Sequence, residues 1–261
     1  MRFTHAIVRP PAPTFAAGLT AADLGPPNLA LALEQHRRYC GALEQAGLEL
    51  RHLEQDARHP DSTFVEDTAV LTARGAVVTR PGAPSRRGEV ADVERCLREY
   101  FTDLRHVVAP GTVDGGDVCE ADGHFIIGVS MRTDEHGAAQ LAGHLADLGY
   151  GASIVDIRAN AGLLHLKTGL AYLGEGVWLA GTGARGCLES VRGAPLGRVI
   201  EVAPEEAYAA NAVRVNDVVL IAAGYPRLAA DLTRNGIRTV ALDMSEFRRM
   251  DGGLSCLSLR Y

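Results

Sequence analysis

The sequence predicts a mixed α/β fold in which about five small strand–strand–helix–strand units close into a ring with the helices outside. Three observations lead there. Short apolar hairpins recur along the chain at intervals of roughly 40 to 50 residues. Most of them lead into a helix-length, partly amphipathic stretch and then a further strand. The front of the chain has a strand, a helix and a strand but no hairpin, and the C-terminal run Leu254 to Tyr261 has a strand and no helix. The two termini are therefore expected to complete one unit together. Units this small cannot bury a face alone and must pack around a common centre. An ordinary mixed α/β domain whose hairpins merely look alike would give the same periodicity.

Taken in order, Met1 to Pro10 reads as a first strand, its apolar part being too short for a signal peptide. Pro10 to Pro27 is a loop bearing Pro and Gly, long enough to act as a lid, with Gly18-Leu19-Thr20 inside it. Leu29, Leu33, His36, Cys40 and Leu43 recur at helical spacing, and Leu48 to Leu53 follows as a strand. The hairpins come next. They are Glu66 to Leu71 with Ala76 to Thr79, Gly116 to Cys119 with His124 to Gly128, Gly169 to Leu173 with Val177 to Ala180, and Ala212 to Val215 with Val218 to Ile221. Their connections are the Gly, Asp and Asn clusters that two-strand turns prefer. Helices are expected over Arg87 to Phe101, Asp134 to Leu148 and Pro226 to Asn235, ahead of strands at Val107-Val108, Ile154-Val155 and Thr239 to Leu242.

Composition narrows the function. With 261 residues and 47% hydrophobic content, the chain can bury a full core as one or two domains. A net charge of -6 and the lack of a basic stripe argue against a nucleic-acid partner. No apolar run approaches the roughly 18 residues that a membrane span needs. The cysteines (Cys40, Cys96, Cys119, Cys187 and Cys256) are odd in number, scattered and without a C-x-x-C pair. A disulfide framework or zinc site is thus disfavoured, and a reducing cytoplasm is the expected compartment.

In a ring the hairpin entrances point to the axis, so their polar residues converge. Pro60 to Asp67 carries Asp61, Glu66 and Asp67 beside an apolar strand, and Gly111 to Asp117 adds Asp114 and Asp117 among glycines. Acids gathered without metal-binding histidines repel one another unless their ligand is a cation, and a guanidinium or ammonium group would satisfy them. Singly, each acid serves equally in a turn or cap. His165 lies in the apolar run Leu163 to Leu166, where a lone histidine is commonly a hydrogen-bonded core residue. Cys256 follows Asp251-Gly252-Gly253, and a lone cysteine is commonly a small buried hydrophobe. Together they make a minimal nucleophile and acid/base pair, with a carboxylate such as Asp114 to orient the imidazole. Arg86 and Arg132 follow the second strands of successive hairpins and could clamp a carboxylate bidentately, or serve surface solubility. Cys40 and Cys96 fall on helices and read as packing.

Several of these stretches act as a set: Phe64-Val65-Glu66-Asp67, Arg80-Pro81-Gly82 with Ser85-Arg86-Arg87-Gly88-Glu89, Asp114-Gly115-Gly116-Asp117, Leu164-His165-Leu166-Lys167-Thr168 and Asp251-Gly252-Gly253-Leu254-Ser255-Cys256. The set resembles the dimethylarginine dimethylaminohydrolase family, from the first strand to the last residue. The resemblance implies a five-bladed α/β-propeller (pentein) of pseudo-fivefold ββαβ units, in one catalytic domain over residues 1–261. It implies hydrolysis of Nω-methylated arginines to citrulline and a methylamine. Cys256 would be the nucleophile, His165 the general acid/base and Asp114 its orienting carboxylate. Asp61, Glu66 and Asp67 would line the guanidinium side, and Arg86 and Arg132 would hold the amino-acid end. Leu19 on the lid and the Met250 backbone would add contacts. No cofactor and no metal is expected. The expected partner is a small methylated arginine, with neither nucleic acid nor membrane, and a homodimer is allowed.

Some bacterial members of that family carry Glu at the position of Asp114, so the shorter side chain is expected to reach less far toward His165. The stretch Ala159-Asn160-Ala161-Gly162 is longer than in some relatives and is expected to alter the rim. The nearest alternative is an arginine deiminase, which shares the fold and the covalent step. That family resembles H-L-D-T after its histidine, where the Asp helps to hold an unsubstituted guanidinium. Here the position is Lys167, which favours the dimethylargininase reading. Nothing marks the acceptor-amine site of an amidinotransferase. A non-catalytic binder of arginine derivatives is the alternative of another class, and the presence of Cys256, His165 and Asp114 gives it no support.

Overall fold

The strands form five three-stranded sheets in a computed structural model that describes residues 2–160, 162–191 and 197–261. One sheet has Gly75–Val78 at its centre, antiparallel to Ala69–Thr72 and parallel to Leu104–His106. The same order recurs with His124–Val129, Val177–Ala180 and Val218–Ala222 as central strands. The remaining sheet is centred on His5–Val8, antiparallel to the C-terminal Leu259–Arg260 and parallel to Glu49–His52. The two chain ends therefore share a blade. A helix crosses from each central strand to its parallel neighbour, as such a pair requires. These helices are Leu29–Gln45, Val90–Leu97, Glu135–Asp147, Ala184–Ser190 and Pro226–Arg234.

Period-two alternation makes the ring close. Successive residues of a strand face opposite ways, and each sheet uses both faces. In the central strand of the first blade, Ile7 packs with Ala76 and Val78 of the second, while Ala6 and Val8 pack with Val213 and Leu220 of the fifth. Val77 of the second blade joins Ile127 of the third. Ile126 joins Trp178 of the fourth, whose Leu179 joins Val219 of the fifth. Five cores, each shared by two neighbouring blades, run once around the axis. The helix Glu135–Asp147 shows how the outer elements begin: Asp134 caps it by accepting from Gly137 N, and Ala138, Leu141 and Leu145 turn its apolar side inward.

Several expectations shift. Gly116-Asp117 lies in the helical turn Gly115–Asp117 rather than in a strand. Glu66 to Thr68 is a helical turn over Val65–Thr68 rather than strand, and Cys256 sits in a similar turn, Ser255–Leu257, just before the last strand. The helix Ala184–Ser190 and strand Arg198–Glu201 complete the fourth blade, where no such pair was read. The third strand of the second blade is Leu104–His106, not Val107-Val108, because its register is set by pairing with Ala76–Val78. Among the described residues, no helix is long and apolar enough to cross a membrane.

Candidate active site

Each strand nearest the axis is preceded by a short helical turn: Val65–Thr68, Gly115–Asp117, Leu166–Gly169, Pro204–Ala210 and Ser255–Leu257. These turns meet around the axis. Two cavities flank them. The smaller, about 30 Å3, brings together Leu19, Asp61, Asp67, Arg86, Arg132, His165, Met250 and Cys256. The larger, about 330 Å3, opens on the other side and is lined in part by Glu66, Lys167, Ser255 and Arg260.

His165 is held from several sides. Its Nε2 lies 3.1 Å from Oδ2 of the fully buried Asp114, so the aspartate reaches the imidazole despite its shorter side chain. Asp114 is fixed in turn by Gly82 N, which donates to Oδ1 at 2.9 Å. The His165 backbone N–H donates to Thr168 Oγ1. A Cβ on Gly116 would stand 2.8 Å from His165 Nδ1, so the imidazole position requires glycine there. Burial opposes charge on His165, but the carboxylates of Asp67, Asp117 and Asp114 overcome it and hold the imidazolium up at about 10. Asp117 also accepts from Leu166 N, Ser130 Oγ and Thr133 Oγ1, which fastens the segment that follows the histidine.

Cys256 is partly exposed to the small pocket, whereas Cys40, Cys96, Cys119 and Cys187 are buried. Burial, then the charges of Glu66 and Asp67, push its thiol up to about 12. At neutral pH the small pocket therefore holds a thiol and an imidazolium. Any cation placed between the thiol and these carboxylates would favour the thiolate.

The acids divide between the two cavities. Asp67 lines the small pocket and accepts from Arg86 Nη1 at 2.5 Å and from Gly116 N. Burial raises its pKa, but His165 and Arg86 outweigh that and leave it at about 2. Asp61 lines the same pocket and accepts the Leu19 N–H at 3.1 Å, which ties the lid down. Glu66 departs from expectation. Adjacent to Asp67 in a tight turn, it projects the other way, onto Lys167 Nζ at 2.7 Å and Ser255 Oγ at 2.7 Å, and lines the larger cavity.

The two arginines also differ. Arg86 is buried and engaged by Asp67, Glu89 and the Phe64 carbonyl, so a single Nη1 N–H has no partner among the described residues. Arg132 lines the pocket and forms no ion pair within 4.0 Å among the described residues, but its charge favours the Asp61 carboxylate. The Met250 N–H is committed to Phe247 O, so its carbonyl is the backbone group that could serve a ligand. Asp67, Asp114 and His165 bring one ligand atom each within 4.8 Å of one another. That set already has its cations in Arg86 and the imidazolium, which a metal would have to displace. Of the lengthened rim stretch, Ala161 lies outside the described residues.

Three contributors went unread in the sequence: Glu89, which buries its carboxylate on Arg86, and Ser255 and Asn211 behind Cys256. Glu89 could have been found from its (i, i+3) spacing to Arg86, and Ser255 from its place beside the thiol.

No protein-family model matches the chain. A dimethylarginine dimethylaminohydrolase of Pseudomonas aeruginosa is 43% identical over 260 residues, 99% of this chain and the whole of that one. One from Streptomyces coelicolor is 34% identical, over 98% of this chain and 96% of its own length. A crystal structure of the Pseudomonas enzyme, a cysteine-to-serine mutant complexed with citrulline, superposes with a TM-score of 0.94 at 42% identity, covering all of both chains. The N-terminal domain of a cyanobacterial arginine dihydrolase shares the fold at a TM-score of 0.86 with 18% identity, covering all of this chain and 97% of that one.

Proposed function

The chain belongs to the dimethylarginine dimethylaminohydrolase family, and from that premise we propose how its own residues carry the reaction. It hydrolyses Nω-methylated arginines to citrulline and dimethylamine or methylamine. One observation supports the assignment of roles. A thiol, an imidazolium backed by Asp114 and the carboxylates of Asp61 and Asp67 share a single pocket.

The substrate guanidinium lies against Asp61 and Asp67, where its charge offsets that of Asp67, one of the two carboxylates that oppose the thiolate. As the cation binds, the Cys256 thiol releases its proton to solvent, and the thiolate attacks the guanidinium carbon, which the carboxylates hold in a plane facing the sulfur. His165 delivers its proton to the departing amine as the C–N bond breaks, since an amide anion cannot leave. A thiouronium remains on Cys256. His165, now neutral, takes a proton from water, the oxygen adds to the same carbon, and the C–S bond breaks to release the ureido product. Arg132 and the remaining N–H of Arg86 face the amino-acid carboxylate, and the Met250 carbonyl its ammonium. A 30 Å3 pocket holds about one or two waters, so Leu19 must leave Asp61 for substrate to bind.

The test is a substrate panel. Asymmetric dimethylarginine and monomethylarginine should release citrulline faster than arginine does. Arginine as the best substrate would make the protein a deiminase, and binding without citrulline would make it a non-catalytic binder.

A further inference from the structure

The ring places equivalent positions of the five entrance turns around one axis. Four of those turns supply groups already described: Asp67, Asp114 with Asp117, His165 and Cys256. The fifth, Pro204–Ala210, ends on Asn211, just ahead of the inner strand Val213–Val215. Asn211 is buried, and its amide uses both N–H donors and one acceptor site of its oxygen. Nδ2 donates to the Lys167 carbonyl and to Ser255 Oγ, both at 3.0 Å, and Oδ1 accepts Ser255 N at 3.0 Å. Lys167 lies two residues after His165, and Ser255 lies one before Cys256. One side chain thus joins the segment that carries the imidazole to the turn that carries the thiol. The second glycine before the cysteine allows it: a Cβ on Gly253 would meet Asn211 Oδ1 at 2.5 Å. Ser255 extends the bridge by donating from Oγ to Glu66, whose other oxygen holds Lys167 Nζ.

We infer that Asn211 is a positioning residue for the Cys256–His165 pair, fixing the sulfur against the imidazole through Ser255 and the Lys167 carbonyl. The inference rests on the catalytic roles proposed above. Asn211 is not itself among the residues that line the small pocket. Its loss should therefore cost turnover rather than substrate affinity. A shift of about 1 Å between reacting groups can cost about 100-fold in rate.

The experiment compares wild type, N211A, S255A and the double variant. Citrulline release from asymmetric dimethylarginine gives kcat and KM separately, and iodoacetamide alkylation of Cys256 is followed against pH. N211A should lose about 10- to 100-fold in kcat with KM within about threefold. The double variant should lose little more than N211A alone, as residues acting as one unit do. Alkylation should move to higher pH in S255A and N211A, because removing or releasing the Ser255 hydroxyl leaves the Glu66 charge, which opposes the thiolate, without that donor. Wild-type kcat in a folded N211A, a deficit in KM alone, or losses that multiply in the double variant would overturn the proposal. If N211A does not fold, S255A, which trims one hydroxyl, decides it on the same readouts. A wild type that releases no citrulline would sink the catalytic roles, and the alkylation profiles would still judge the clamp.

Discussion

Replacing Asp114 with asparagine tests the acid/base assignment most directly. The two oxygens of Asp114 have separate duties: Oδ1 accepts Gly82 N and Oδ2 faces His165 Nε2 at 3.1 Å. In D114N the amide oxygen can keep Gly82, which leaves the NH2 pointing at the imidazole. Nε2 must then accept rather than donate, and the imidazolium loses its partner. A hydrogen bond to a charged group contributes about 1.5–3 kcal/mol, or about one to two pKa units. His165 stands at about 10 in the folded protein. Because the partner raises the pKa, its removal lowers it, and the protonated acid is lost at lower pH. The alkaline limb of kcat/KM, which reports the free enzyme's groups, should move from near pH 10 to roughly pH 8–9, with Asp67 and Asp117 still sustaining part of the shift. Turnover at pH 7 should fall about 10- to 100-fold from lost orientation. Stability follows the same sign. The His165 contribution is present below its ordinary 6.5 and lost as pH rises through 10, so the variant should lose stability earlier on the alkaline side. Citrulline assays from pH 6 to 11 alongside thermal melts would measure both. A folded D114N whose alkaline limb does not move would refute the claim that Asp114 charges His165.

Other outcomes follow from the same geometry. C256S should lose about three orders of magnitude or more in citrulline release, with no covalent adduct by mass spectrometry and a melting temperature near wild type. E66Q removes a charge that opposes the Cys256 thiolate. The thiol should fall from about 12 and iodoacetamide alkylation at pH 9 should quicken, about tenfold for each unit; no acceleration would remove Glu66 as a determinant of the thiol. The same change leaves Lys167 without its partner, so the variant should melt several degrees lower. G18A would put a Cβ 2.5 Å from Asp61 Oδ1, where the lid now seats. Because Leu19 must leave Asp61 for substrate to bind, unseating the lid should lower KM about threefold while kcat stays within about twofold, and equal KM values would detach the lid from substrate binding.

The ring was legible because hairpins recur and because Ile7 beside Ala6 and Val8, or Val77 beside Ala76 and Val78, are apolar on both faces of a strand, which only neighbours on both sides can cover. The missed helix Ala184–Ser190 is a short stretch of Gly-bearing sequence whose Cys187 and Leu188 are fixed by packing against the third blade, a tertiary effect that local periodicity does not carry. Within the site, His165, Asp114 and Cys256 were readable as unusual residue types at ring entrances. The partition of Glu66 from Asp67 was not, since neighbouring acids look alike until a turn points them apart. Arg86 likewise gave no sign that Asp67, nineteen residues away, would engage one of its donors.

That partition gives Lys167 a physical meaning. On the proposed reading, the carboxylates that face a substrate guanidinium are those of Asp61 and Asp67, while Lys167 holds Glu66 on the far side of the entrance turns. An unsubstituted guanidinium presents N–H donors on both terminal nitrogens, and each one buried without an acceptor costs about 1–3 kcal/mol. A dimethylated nitrogen presents none. By binding Glu66 and adding no acceptor of its own, the lysine leaves that side of the site short of carboxylates. The shortage disfavours arginine and does not affect a dimethylated nitrogen. Selectivity of this kind comes from a withheld partner, and it joins the residue after His165-Leu166 to the ion pair that separates the two cavities.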